Sequence, residues 1–299
     1  MKPQRLLIAG LALAALSTFN SQLSTVHAGT TIDAVNKYAW SANLGWMDWS
    51  GGTGETANGA VIGAYVCSGY IYSANVGWIN LGSGSPANQI QYQNNSAADF
   101  GVNNDGLGNL SGYAWSANTG WITFEQTYGQ PKVNLLTGQF SGCVWSANCG
   151  WISLSNTVAH VQTDTISPGA LAPDGLPIAW LLTYFGTINE NAGADPTGKG
   201  MTLEQDYLAG TDPTNAGSVL KITGESLSSG GAITALTWDS VPSRFYYIQK
   251  SPGLSSPVWT DSGLGLVSPF AGPTTTASFG GVATNMQFYR IQAVRPLTP

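Results

Sequence analysis

Side chains able to do chemistry are few in this 299-residue chain, and they are thinly spread. The two histidines are His27 and His160. Downstream of the N-terminal segment, a nucleophile–histidine device would have only His160, in a Thr/Ser/Pro/Ala-rich stretch that reads as a linker. No phosphate-cradling glycine loop, HExxH or dinucleotide fingerprint occurs. A glycoside hydrolase needs only two carboxylates. The first half offers Asp48, Glu55, Asp99, Asp105 and Glu125, but none recurs at an equivalent place, which suits solvated charges better than a catalytic pair. Lys+Arg number 10 against Asp+Glu 16. The net charge of −6 leaves no basic face for phosphates, so nucleic acid is excluded as a partner.

The remaining chemistry is that of flat rings. Of the 11 tryptophans, eight fall between Trp40 and Trp151, near the polar residues Asp48, Asn80, Thr123 and Ser153. Rings beside hydrogen-bonding groups can stack on sugars. The candidate ligand-binding residues are Trp40, Trp46, Tyr72, Trp78, Trp115, Trp121, Trp145 and Trp151. A competing use is cohesion. Burying one Trp removes ~150–250 Å² from water, worth up to ~4–6 kcal/mol. The first expectation is therefore that the rings pack between neighbouring units, and the second is a carbohydrate platform.

These rings belong to a repeat. The chain reads Tyr38-Ala-Trp-Ser-Ala-Asn-Leu-Gly-Trp46, Tyr70-Ile-Tyr-Ser-Ala-Asn-Val-Gly-Trp78, Tyr113-Ala-Trp-Ser-Ala-Asn-Thr-Gly-Trp121 and Cys143-Val-Trp-Ser-Ala-Asn-Cys-Gly-Trp151. The motif reads as strand, tight loop, strand, with Asn and Gly tolerating positive φ where the chain reverses. Pairing Trp115 with Trp121 sorts the third copy into two faces. Tyr113, Trp115, Trp121 and Thr123 share one, and Leu110, Gly112, Ala114, Ile122 and Phe124 share the other. In the fourth copy, Trp145, Trp151 and Ser153 stand against Phe140, Val144, Ile152 and Leu154. The aliphatic face is core, and Gly112 and Gly142 leave room opposite Phe124 and Leu154. Turn signals at Asn104-Asp105-Gly106 and Thr137-Gly138 predict a further strand ahead of copies three and four. A lone hairpin is marginal in water, so the four units must pack together, as a small barrel, a propeller-like ring or a solenoid.

The repeat resembles, over Tyr38 to Leu154, a Trp-Ser-x-Asn-x-Gly-Trp module of exported bacterial proteins, which implies location and no activity. Export is also read directly. Lys2 and Arg5 precede an apolar run from Leu6 to Leu16, and Val26-His27-Ala28 ends in a small residue, the pattern of a signal peptide over residues 1–28. The run is too short to span a bilayer, and no later segment could. The expected location is secreted, extracellular or cell surface. Export permits disulfides, and the fourth copy carries Cys143 and Cys149 together, which predicts a bond between them. A Cys67–Cys143 bridge is the alternative.

Beyond the repeat domain (29–157) and a linker (158–174), residues 175–215 read as a helical segment, with Pro177 suited to a first helical turn. Asp195 to Pro213 contains Gly198-Lys-Gly200, Glu204-Gln-Asp206-Tyr-Leu and Gly210-Thr-Asp-Pro. This stretch resembles degenerate thrombospondin type 3 and dockerin repeats, which implies a possible calcium loop. On the EF-hand pattern the oxygen positions are Asp195, Thr197, Lys199 and Asp206, with Gly200 at the turn and Met201 completing the candidate metal set. Lys199 puts an ammonium where a carboxylate belongs, so a vestigial loop serving as a helical spacer is the stronger reading.

Residues 216–299 read as six short strands: Val219–Thr223, Ile233–Trp238, Phe245–Gln249, Val258–Asp261, Thr274–Phe279 and Gln287–Val294. Their spacing predicts a β-sandwich, similar to a fibronectin- or immunoglobulin-like module. The fold class expected is thus mainly β: a hairpin-repeat domain, a short helical spacer and a C-terminal sandwich. The function expected is that of a non-catalytic secreted or cell-surface structural or interaction protein. The alternatives are carbohydrate binding and, less favoured, a carboxylate-dependent hydrolase. Its partners would be polysaccharide or other surface proteins.

Overall fold

A computed structural model describes residues 29–52, 58–227, 233–279 and 287–298. The expected signal peptide, its cleavage point after Ala28, and Glu55 lie outside the described residues. The chain divides into two compact units, one holding residues 29–192 with 296–298 and the other residues 193–295.

In the first unit the four motif copies form four antiparallel hairpins. They are Ile32–Ser41 with Gly45–Asp48, Ser68–Ser73 with Gly77–Ser83, Leu110–Ser116 with Gly120–Phe124, and Cys143–Ser146 with Gly150–Ser153. Each hairpin hands on to the next through one register: Asp48 opposite Tyr72, Asn80 opposite Trp115, Thr123 opposite Trp145. Ser153 then pairs with Trp40 and closes the circle. Of the three arrangements open to the repeat, the molecule adopts the closed eight-stranded barrel, which leaves no free edge among its hairpins. The two further strands predicted ahead of copies three and four are present, as Val102–Asn104 on the third hairpin and Lys132–Val133 against Phe140–Ser141.

Alternation places the aliphatic face inside as expected. Trp115 faces Trp121 and Gly112 faces Phe124. Ala39, Met47, Ile71, Ile79, Ala114, Ile122, Phe124, Val144 and Ile152 are all buried. Trp49 points inward too, edge-on to Phe140 at 5.2 Å and Phe124 at 6.4 Å. The void left at the centre is about 10 Å³ with an entirely apolar lining, at the lower limit for one water. The interior is a packed core.

The hairpin loops explain the recurring Ser, Asn and Gly. Ser41 pairs with Gly45, Ser73 with Gly77, Ser116 with Gly120 and Ser146 with Gly150, so each loop has three residues. The closing glycines sit at φ of 69–74°, the left-handed conformation such loops require. The motif asparagines do not use positive φ, contrary to expectation. Each instead donates its side-chain amide to the loop of a neighbouring hairpin. Asn43 reaches the Cys149 carbonyl at 3.0 Å, Asn148 reaches Thr119 at 3.0 Å, Asn118 reaches Val76 at 3.0 Å, and Asn75 reaches Leu44 at 2.9 Å. These four bonds form a closed ring around one mouth of the barrel. The side chains of Leu44, Thr119 and Cys149 are buried there, and Val76 packs on the same core.

Gly112 and Gly142 are needed for a different reason from the one anticipated. Their φ values are +99° and +81°, and a Cβ would come within 2.3 Å of the Gly101 and Gln130 carbonyl oxygens. Close backbone approach excludes a side chain there, independently of Phe124 or Leu154.

The stretch read as linker is part of this unit: Val161–Thr163 is a strand paired to the first barrel strand, with Lys37 opposite Val161. Three residues are too few for alternation to show in the sequence. Helix Ile178–Phe185 follows, with Pro177 at its N-cap and Gly186 ending it at φ 67°.

In the second unit, helix Leu203–Ala209 starts with a capping box between Thr202 and Gln205. Two three-stranded antiparallel sheets follow. One joins Ile222–Leu227, Ile233–Asp239 and Thr274–Ser278, and the other Thr260–Asp261, Phe245–Ser251 and Phe288–Val294. Leu236, Trp238, Tyr246 and Ile248 form the core between them. The first strand lies three residues later than predicted. Among the described residues, no helix is long and apolar enough to cross a membrane.

Candidate functional site: an aromatic belt around the barrel

With the aliphatic face turned inward, strand geometry sends the other face out. Tyr38, Trp40, Trp46, Tyr70, Tyr72, Trp78, Tyr113, Trp115, Trp121, Trp145 and Trp151 all lie on the outside, each 36–47% exposed. All eight candidate ligand-binding residues are in this belt. The expectation that the rings pack as core between units is therefore corrected. Aliphatic side chains and Trp49 already fill the interior, and no space remains for the belt rings.

The rings order one another on the surface. In three hairpins the tryptophan after the loop meets the tyrosine that opens the motif edge-on: Tyr38–Trp46 at 6.2 Å, Tyr70–Trp78 at 6.0 Å and Tyr113–Trp121 at 6.0 Å. Tyr72 also meets Trp78 at 5.0 Å, and Phe100 meets Trp121 at 5.1 Å. Such contacts contribute ~0.5–1.5 kcal/mol each and hold the rings in place. Polar residues recur at one register position between ring pairs: Asp48 beside Tyr72, Asn80 beside Trp115, Thr123 beside Trp145 and Ser153 beside Trp40. Around the circumference, paired rings thus alternate with hydrogen-bonding side chains. Lys37 bonds Asp48 at 2.9 Å, and that contact holds the lysine ammonium above its ordinary pKa against the opposing pull of burial.

The carboxylates proposed for acid–base work are engaged in local turns. Asp48 also accepts from the Ser50 N–H and hydroxyl at 2.8 and 2.6 Å. Asp99 accepts from Ala87 and Gln93 N–H groups, and Asp105 from Leu107 and Asn109. Burial works to raise the Glu125 pKa, but N–H groups of Tyr128, Gly129 and Thr127 outweigh it and hold the carboxyl below its ordinary value.

The predicted Cys143–Cys149 disulfide is not formed, and all three cysteines are free. The register gives the reason. Cys143 takes the outward position held by tyrosine in the other copies, opposite Ser153, whereas Cys149 is the buried loop residue at the barrel mouth. Cys143 thus stands on the outer face of the sheet and Cys149 belongs to the core. Cys67 is buried in the core, and burial pushes its thiol up to about 12.

The acidic loop of the second unit also departs from its sequence reading. The Lys199 ammonium is buried at the focus of the loop's oxygens, 2.8 Å from Asp206 Oδ1, 2.6 Å from the Asp212 carbonyl and 3.0 Å from that of Ser218. Burial pushes the Asp206 carboxyl up, against the pull of Lys199 and the Thr211 hydroxyl. Asp195 accepts the Lys199 and Gly200 N–H groups at 3.1 and 2.7 Å. Thr197 Oγ1 and Asp206 Oδ2 are buried without a hydrogen-bond partner, and Met201 is buried. A cation already supplied by the chain fills the place a calcium ion would take, so these residues do not fit the metal. Among the described residues, no cluster of three or more His, Cys, Asp or Glu side chains could hold one either.

Sequence reasoning found the rings and their grouping but missed the asparagine ring. The signal was present, because Asn recurs in all four copies where many residues would serve a loop. No family model, curated relative or solved structure matches the chain.

Proposed function

We propose that the aromatic belt is a carbohydrate-binding surface and that the protein is a non-catalytic, exported glycan-binding protein. One observation carries this reading: each of the four hairpins holds a pair of aromatic rings at equivalent positions on the solvent face, although the core is complete without them. Of the other recurring motif residues, Ser accepts the N–H of the loop Asn, Gly closes the loop and Asn forms the ring of amides. The exposed rings have no structural work that their burial explains. Large apolar surfaces kept in water mark interaction sites. A ring face suits the C–H face of a pyranose, and the interleaved Asn80, Thr123 and Ser153 suit its hydroxyls.

Charge narrows the class. The chain is acidic at −6, and Lys37, the cation beside the belt, is paired with Asp48. Neutral polysaccharides are favoured over anionic ones. The basic-then-apolar N-terminus supports export, where such polymers are met.

The test is electrophoresis of the chain through gels containing mixed-linkage β-glucan, xylan, galactomannan or glycol chitin. Retardation in at least one gel, weakened in Trp115→Ala/Trp121→Ala and kept in Trp121→Tyr, is the expected result. Normal mobility in all four gels overturns the reading.

A further inference from the structure

The belt is closed, and that determines how it can meet its ligand. Four ring groups follow one another around an eight-stranded barrel: Trp40 with Trp46, Tyr72 with Trp78, Trp115 with Trp121, and Trp145 with Trp151. Each pair faces itself across its own hairpin, and a polar residue separates it from the next. Because the strands close into a barrel, successive pairs point outward about a quarter-turn apart. They cannot lie in one plane.

We infer that each hairpin is a separate glycan station, that the protein is multivalent, and that its ligand is individual hydrated chains of neutral polysaccharide rather than a flat crystalline face. The inference rests on the glycan reading above and goes beyond it. A planar array of rings would be needed to lie on a crystal face, whereas a convex belt presents one pair at a time. Conversely, stations directed away from one another can hold different chains at once and cross-link them, with gains in avidity set by the spacing between attachment points. The exposure of the rings supports equivalence, since all four groups remain within the same 36–47% band. The stations are not identical. The second has Tyr72 in place of a tryptophan, and the fourth has Cys143 in place of the tyrosine that flanks Trp46, Trp78 and Trp121 in the others.

Calorimetry of the full chain with hexasaccharides of β-1,4-linked glucose, xylose, mannose and N-acetylglucosamine tests this directly. For the sugar that binds, about four molecules per chain are expected, falling to about three in Trp115→Ala/Trp121→Ala. The matching soluble polysaccharide should be cross-linked, seen as rising light scattering that free hexasaccharide reverses. Binding of one molecule per chain, abolished by changing a single hairpin, overturns multivalency and leaves the glycan reading standing. Stronger retention on a crystalline form than on the soluble polymer overturns the preference for separate chains. If no hexasaccharide binds, both the inference and the reading beneath it fall. Trp121→Tyr, which keeps a ring, controls for lost folding.

Discussion

The Asn43 side-chain amide donates to the Cys149 carbonyl oxygen at 3.0 Å, joining loops 106 residues apart. This bond ties the first hairpin to the last, and three equivalent bonds complete the circuit. The amide contact that reinforces barrel closure is thus repeated in every copy, with no special residue at the seam.

Replacing one ring asparagine should weaken the barrel without reshaping it. Asn118→Ala removes one amide donor from the Val76 carbonyl and should cost about 1 kcal/mol. Asn43→Ala should cost about the same, because the seam is chemically like the other joints. Urea unfolding of each variant checks this, and no change in either would show that the ring is incidental.

Core and belt residues of one strand should respond differently to truncation. Ile122→Ala empties a buried site and should cost about 2–5 kcal/mol. Trp121→Ala, its outward neighbour, should cost about 1–2 kcal/mol despite removing the larger side chain. Equal or reversed losses in chemical denaturation would return the rings to a structural role.

The thiols should separate by position. Cys67 is buried and holds its proton up to about 12, so it should resist alkylation in the folded protein at pH 8, while half-buried Cys143 reacts. The unfolded chain releases this proton near 9, so the contribution is full below that and is lost as pH rises towards 12. Stability should fall by about 1.4 kcal/mol per pH unit across that window from this group. Cys67→Ala should flatten the dependence, and an unchanged slope in the variant would assign it elsewhere.

Lys199 should be indispensable to the second unit. Lys199→Ala leaves the Asp206 carboxylate buried without its cation and should cost about 3–5 kcal/mol. Adding Asp206→Asn should recover part of the loss. Hydrogen exchange of the core amides around Trp238 reports both. Millimolar calcium should leave the native protein's melting temperature unmoved, and a rise would mean that the ion displaces the ammonium.

Much of the barrel was legible because alternation is a local property. Once Trp115 was set opposite Trp121, the pleat alone sent Ile122 and Phe124 to one side and Tyr113 and Thr123 to the other. Repetition then extended that sorting to the other copies. The three-residue strand Val161–Thr163 was hidden for the converse reason, since a pattern of period two needs more residues to declare itself.

Residue order along the chain was enough to determine four hairpins, their two faces and the apolar character of the inner one, because turn chemistry and the pleat act over a few residues. Tertiary structure alone decided the rest. It closed the sheet through Ser153 and Trp40, filled the interior so that the tryptophans stayed outside, put Cys143 on the outer face and Cys149 in the core, and set the Lys199 ammonium among carbonyls of residues 212 and 218. Each of these outcomes depends on which distant segments compete for the same volume or the same oxygen atoms, and that competition is settled only when the chain has packed.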